Sequence, residues 1–120
     1  MREDIRNAVT DLTLTAEGAS ARFRFAQDLP IFQGHFPSYP IVPGIYLVEG
    51  ARVLGEHALG EPLVIASVEM AKFSATVLPE DWVEASAVMH AESDPITCDA
   101  RFRCRGVDAA RIKLRLRRTS

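Results

Sequence analysis

An imidazole and a carboxylate stand fourteen positions apart in residues 32–51, FQGHFPSYPIVPGIYLVEGA. His35 falls in a stretch punctuated by Gly34, Pro37, Pro40, Pro43 and Gly44, and Glu49 follows in an apolar run. Proline presets its own backbone angle, so a loop of this composition loses little entropy in holding a side chain in place. An imidazole changes charge near neutral pH, and a carboxyl group among apolar neighbours favours its protonated form. Together they are the equipment of general acid–base catalysis. One helical turn from Glu49 stand Ile45 and Val53, which would give the carboxyl that apolar surrounding.

The elements that must position this pair follow from periodicity. Over residues 44–58, Leu47, Ala51, Leu54 and Ala58 recur in steps of four, three and four, which predicts a helix. Pro43 suits its start and Gly60 a position just past its end. The helix is more apolar than a surface helix needs to be, so a sheet should wrap it. Residues 11–15 and 20–26 alternate polar and apolar about Glu17 and Gly18, the pattern of a hairpin, and residues 27–43 form the loop. Beyond Pro62, strand-like runs cover residues 63–76 (bent near Met70), 82–90, 96–105 and 110–117, with Pro79, Pro95 and Gly106 in the turns between them. The order β-β-α-β-β-β-β predicts an antiparallel sheet packed on a single long helix, an α+β architecture. With 120 residues, 48% hydrophobic and 25% charged, residues 1–120 are expected to form one globular domain.

Composition narrows the chemistry further. No run approaches the roughly 20 apolar residues of a membrane span. MREDIRNAV carries two acids in its first four residues and no apolar core of a secretory signal, so a cytoplasmic location is expected. Cys98 and Cys104 fall in one strand, about 20 Å apart, and should be buried and reduced rather than bridged. Two cysteines and three scattered histidines show no metal-ligand spacing, so no metal is expected, and His57 and His90 are expected at helix ends or on the surface. The net charge is only −2, but residues 101–120 hold eight bases against the single acid Asp108. Those bases form either a solvated sheet face or a docking surface for an acidic protein. Nucleic-acid binding is not expected, because no aromatic residues are interleaved with the arginines.

The stretch GHFPSYPIVPGIYLVE resembles the signature of the hot-dog-fold (3R)-hydroxyacyl-[acyl-carrier-protein] dehydratases of the FabZ/FabA type. Gly34, His35, Phe36, Pro37, Pro40, Pro43, Gly44 and Glu49 fall in its register, and KFSATVLPED at residues 72–81 is similar to a second family stretch. The resemblance implies a hot-dog fold, an antiparallel sheet wrapped around one long central helix. It implies dehydration of 3-hydroxyacyl thioesters to trans-2-enoyl thioesters, in fatty acid or related polyene or polyketide biosynthesis, without metal or redox cofactor. In that scheme His35 takes the α-proton, Glu49 protonates the departing hydroxyl, and the Gly44 N–H binds the thioester oxygen as it gains negative charge. Phe36 and Val53 would line the substrate site; the family usually has glutamine where this chain has Val53. The resemblance further implies a homodimer whose histidine and acid come from different subunits, acting on a thioester of acyl-carrier protein or of coenzyme A. Two alternatives stand beside it: a hot-dog thioesterase, and a non-catalytic acyl-binding partner subunit.

Overall fold

The chain is described by a computed structural model covering residues 2–32 and 40–119. Its organising element is the helix α2 (Gly44–Leu59), in which residues 46–55 are buried without a break. A helix buried on every face needs cover on more than one side. On one side this comes from a six-stranded antiparallel sheet, built from β1 (Val9–Leu14), β2 (Gly18–Phe23), β3 (Leu63–Phe73), β4 (Val83–His90), β5 (Ile96–Cys104) and β6 (Val107–Arg118) in the spatial order β1-β2-β4-β5-β6-β3. A short N-terminal helix, α1 (Arg2–Ala8), also packs on α2 and buries Ile5. The expected element order is borne out except for α1, whose seven residues are too few to show a helical period.

Alternation decides which face of each strand meets α2. Cys98, Ala100, Phe102 and Cys104 of β5 and Ile112, Leu114 and Leu116 of β6 are buried, while the arginines between them are exposed or half-exposed. Phe102 stacks obliquely on Phe23 of β2 beneath the helix, their centroids 6.1 Å apart. The bend expected near Met70 takes the form of two register shifts against β6, one between Ile65 and Ser67 and one between Val68 and Met70. Such irregularities bend a strand and increase its twist, which lets the sheet curl around a helix. The β5–β6 hairpin turns on Arg105 and Gly106, both at positive φ (51° and 77°), as a two-residue loop matched to strand twist requires.

Gly18 is required by a close approach. A Cβ there would stand 1.9 Å from the Ala87 carbonyl oxygen on β4, a backbone atom with no rotamer to yield. Gly18→Ala is therefore expected to destabilise the fold by about 1–3 kcal/mol, read as a lower urea midpoint. An unchanged midpoint would show that the β2–β4 pairing adjusts freely.

Candidate active site

Pro43 stands just before α2 in extended conformation (φ −61°, ψ 143°) and makes no side-chain capping bond. Its carbonyl accepts from the Tyr46 N–H at 2.9 Å. The first N–H groups of a helix have no partner within it, so Gly44, the first residue of α2, presents a donor at the positive end of the helix dipole. A Cβ on Gly44 would lie 2.7 Å from Cζ of Phe73 at the end of β3, a half-exposed ring that would have to shift to admit it. Glu49 follows about 7.5 Å further along the helix axis. The approach to the helix is pinned at both ends. Phe32 is buried, and the Val42 N–H donates to the Val77 carbonyl at 2.8 Å. His35 and Phe36, between these anchors, lie outside the described residues.

The surroundings of Glu49 correct one expectation. The residue is 9% exposed, but its partner is a cation rather than an apolar stripe. Nε of Arg52 donates to Glu49 Oε2 at 2.8 Å, and Arg52 itself is only 1% exposed. Its Nη1 lies 2.8 Å from Glu56 Oε2 and donates to the Leu63 carbonyl at 3.2 Å. Glu56 also accepts the Leu63 N–H at 2.8 Å and meets Arg6 of α1 at 3.1 Å. Spacings of three and four residues put Glu49, Arg52 and Glu56 on one ridge of α2, so a guanidinium at position 52 lies between the two carboxylates. Of the supposed apolar neighbours, Val53 is fully buried, whereas Ile45 is exposed. Arg52 was legible in principle, as the one charge in residues 50–55, GARVLG, a helix segment otherwise built for the core.

Burial pushes the Glu56 carboxyl up, but the Leu63 N–H, Arg6 and Arg52 outweigh it and hold the group below the usual carboxylate range. A carboxyl whose proton affinity falls on folding stabilises the fold above its ordinary value near 4.5, and that contribution is lost as the pH falls through the lowered one. Glu56→Gln is thus expected to lower the melting temperature at neutral pH and to flatten its decline below pH 4.5. Parallel melting curves of variant and parent from pH 7 down to pH 3 would contradict this.

The remaining expectations divide cleanly. Cys98 and Cys104 are buried and free; burial pushes the Cys98 thiol up to about 12, so it stays protonated at neutral pH. The basic C-terminal strands are largely matched by acids, two from the same strands and three from elsewhere in the fold. Arg103 pairs with Asp108, Arg105 with Asp81, Arg111 with Asp99, Arg115 with Glu69 and Arg118 with Glu61. Among the described residues, Arg101, Lys113 and Arg117 meet no carboxylate, so the unmatched positive charge on this face is small. Hollows of about 480 and 580 Å³ on the sheet, bordered by Arg22 and Arg101 and by His90 and Lys113, are lined by neither Gly44 nor Glu49. No helix among the described residues is long and apolar enough to cross a membrane.

A six-stranded antiparallel sheet wrapped on one long helix, with a near-buried carboxylate at the helix's second turn, defines a hot-dog-fold protein. The solved ApeI:P dehydratase heterocomplex from Xenorhabdus doucetiae shares it, with a TM-score of 0.77 over 92% of this chain and 96% of that one at 22% identity. So does the PaaI protein of the E. coli phenylacetic acid degradation operon, at 0.69 over 92% and 79% with 16% identity. The chain belongs to the ApeI-like family, the ApeI dehydratases, whose pattern it matches over residues 11–113. Curated relatives include the 3-hydroxyacyl-[acyl-carrier-protein] dehydratase FabZ of Latilactobacillus sakei, 32% identical over 87 residues, which are 67% of this chain and 62% of the relative. The FabZ of Ruminiclostridium cellulolyticum is 44% identical over 59 residues, 43% of this chain and 42% of that protein. The chain thus spans less than two thirds of the length of these relatives.

Proposed function

We propose that the protein dehydrates 3-hydroxyacyl thioesters to trans-2-enoyl thioesters, with the acyl group carried on acyl-carrier protein and with residues 1–120 acting as one domain. The observation that carries this reading is Glu49: a nearly buried carboxylate on the central helix, within the matched family region, about one and a half turns beyond Gly44, whose N–H begins the helix. His35 removes the α-proton, Glu49 protonates the leaving hydroxyl, and Gly44 N–H stabilises the oxygen that gains charge. Phe36 and Val53 border the acyl chain.

The same reading makes the working unit a dimer. β3 lies at one edge of the sheet and exposes Val64, Val68 and Phe73, and Ile41, Ile45 and Leu78 are exposed near the start of α2 and the end of β3. An exposed apolar edge strand is a template for pairing with a second chain. In this reading two copies pair there, and His35 of one copy works with Glu49 of the other. The ApeI:P neighbour is a heterocomplex, which makes a non-identical subunit the second candidate for that edge.

The test is to offer the purified protein 3-hydroxyacyl thioesters of several chain lengths on carrier protein and on coenzyme A, and to follow enoyl absorbance. Release of free thiol without enoyl product would mean a thioesterase instead. Mixing His35→Ala with Glu49→Ala and re-equilibrating the subunits should restore part of the activity. If the subunits exchange and none returns, the inter-subunit pairing is wrong.

A further inference from the structure

The side chain of Arg52 is not used by the chemistry proposed above, yet it is the most costly group in the core. It lies between Ala51 and Val53 on α2, 1% exposed, in a stretch where every other side chain is apolar. Taking a guanidinium out of water costs several kcal/mol unless its donors are met in good geometry. Here Nε meets Glu49 Oε2 at 2.8 Å, and Nη1 meets Glu56 Oε2 at 2.8 Å and the Leu63 carbonyl at 3.2 Å. Among the described residues Nη2 meets no partner. An aliphatic side chain would fill this place without that orphan, so its retention calls for a use other than packing.

The bonding pattern supplies one. The planar fork of Arg52 is fixed on one side by Glu56, which is tied in turn to the Leu63 N–H at the start of β3 and to Arg6 on α1. Its other side holds a single oxygen of Glu49. Among the described residues no donor reaches the second oxygen, Oε1, and the Glu49 side chain keeps 11% of its surface open. Arg52 is too deeply buried to touch a substrate itself.

We propose that Arg52 is a positioning residue: backed by Glu56 and the Leu63 carbonyl, it grips Oε2 of Glu49 and so aims Oε1, the oxygen that no donor reaches among the described residues, at the substrate. This rests on the dehydratase reading for what Glu49 does, but not for where it points. The arrangement ties the direction of one carboxylate to α1, α2 and β3 at once. Arginine is needed because lysine offers a point charge and no fork, and cannot hold two carboxylates and a carbonyl in one plane.

The test uses Arg52→Lys, which keeps the buried charge, with Glu56→Gln as a second variant whose amide oxygen can still accept the Leu63 N–H. A misdirected acid slows the chemical step without loosening binding, so Arg52→Lys should lower kcat by about 10²-fold with KM nearly unchanged. Glu56→Gln should show the same pattern at smaller amplitude. In a Glu49→Gln background neither change should lower kcat further, because a residue acting through Glu49 has nothing left to aim. A full kcat in both single variants, or an equal loss with and without Glu49, overturns the proposal. Crystal structures of the parent and Arg52→Lys give a readout free of activity: the Glu49 carboxylate should turn from its parental direction, and an unchanged carboxylate overturns the proposal. A parent that dehydrates no 3-hydroxyacyl thioester would instead remove the dehydratase reading, and the carboxylate direction would still decide the role of Arg52.

Discussion

Glu49→Gln is expected to cut turnover of a 3-hydroxyacyl thioester by about 10²–10⁴-fold while leaving the fold in place. Glutamine keeps the length of the side chain and a carbonyl oxygen, so Nε of Arg52, 2.8 Å from Oε2 in the parent, keeps an acceptor. What it lacks is a proton that can pass to a departing hydroxyl. The loss should therefore fall on kcat, with KM close to that of the parent. Enoyl absorbance under saturating substrate measures it, beside a melting curve that should shift little. Retention of more than about a tenth of the parental kcat would take the acid role away from Glu49.

Arg52→Ala carries the largest expected effect on stability, a loss of about 3–5 kcal/mol. The substitution leaves two carboxylates, Glu49 and Glu56, facing each other across the space the guanidinium filled, at 11% and 13% side-chain exposure. It also strips the Leu63 carbonyl of its arginine donor. The cost of a stranded buried charge exceeds that of the lost contact itself. Adding Glu49→Gln should accordingly recover part of the stability, since it removes one of the stranded charges. Urea midpoints at constant slope report both effects. A loss for Arg52→Ala below about 1 kcal/mol, or a double variant less stable than the single one, would mean that the carboxylates find water instead.

Much of this molecule was legible in its residue pattern. The stripe of Leu47, Ala51 and Leu54 predicted the buried face of α2, and Gly60 ends the helix at φ 69° with its N–H on the Glu56 carbonyl. The alternation of Cys98 to Cys104 and of Ile112 to Leu116 predicted the covered face of β5 and β6. These features are local, and periodicity reports them directly. What escaped was set by contacts across the fold. The Phe73 ring packs on Gly44 from twenty-nine residues away, and Arg6 reaches Glu56 from fifty residues away. The surroundings of Glu49 were misjudged because counting one turn in each direction found Ile45 and Val53, whereas the position three residues on holds the longer and charged side chain. The basic ending of the chain suggested an anionic partner because sequence separates Arg115 from Glu69 and Arg118 from Glu61, which the β3–β6 pairing brings together.

The Arg6–Glu56 contact gives the interior an electrical lead to solvent. Its outer terminal, the Arg6 side chain, is 56% exposed, whereas Glu56, Arg52 and Glu49 are 13%, 1% and 11% exposed. Dissolved ions screen exposed charges over a Debye length of about 8 Å at physiological ionic strength, so a close exposed pair is weakened in part and a dry one much less. Added salt thus loosens the first link more than the inner ones, and the buried part of the chain of charges is set by the fold rather than by the medium.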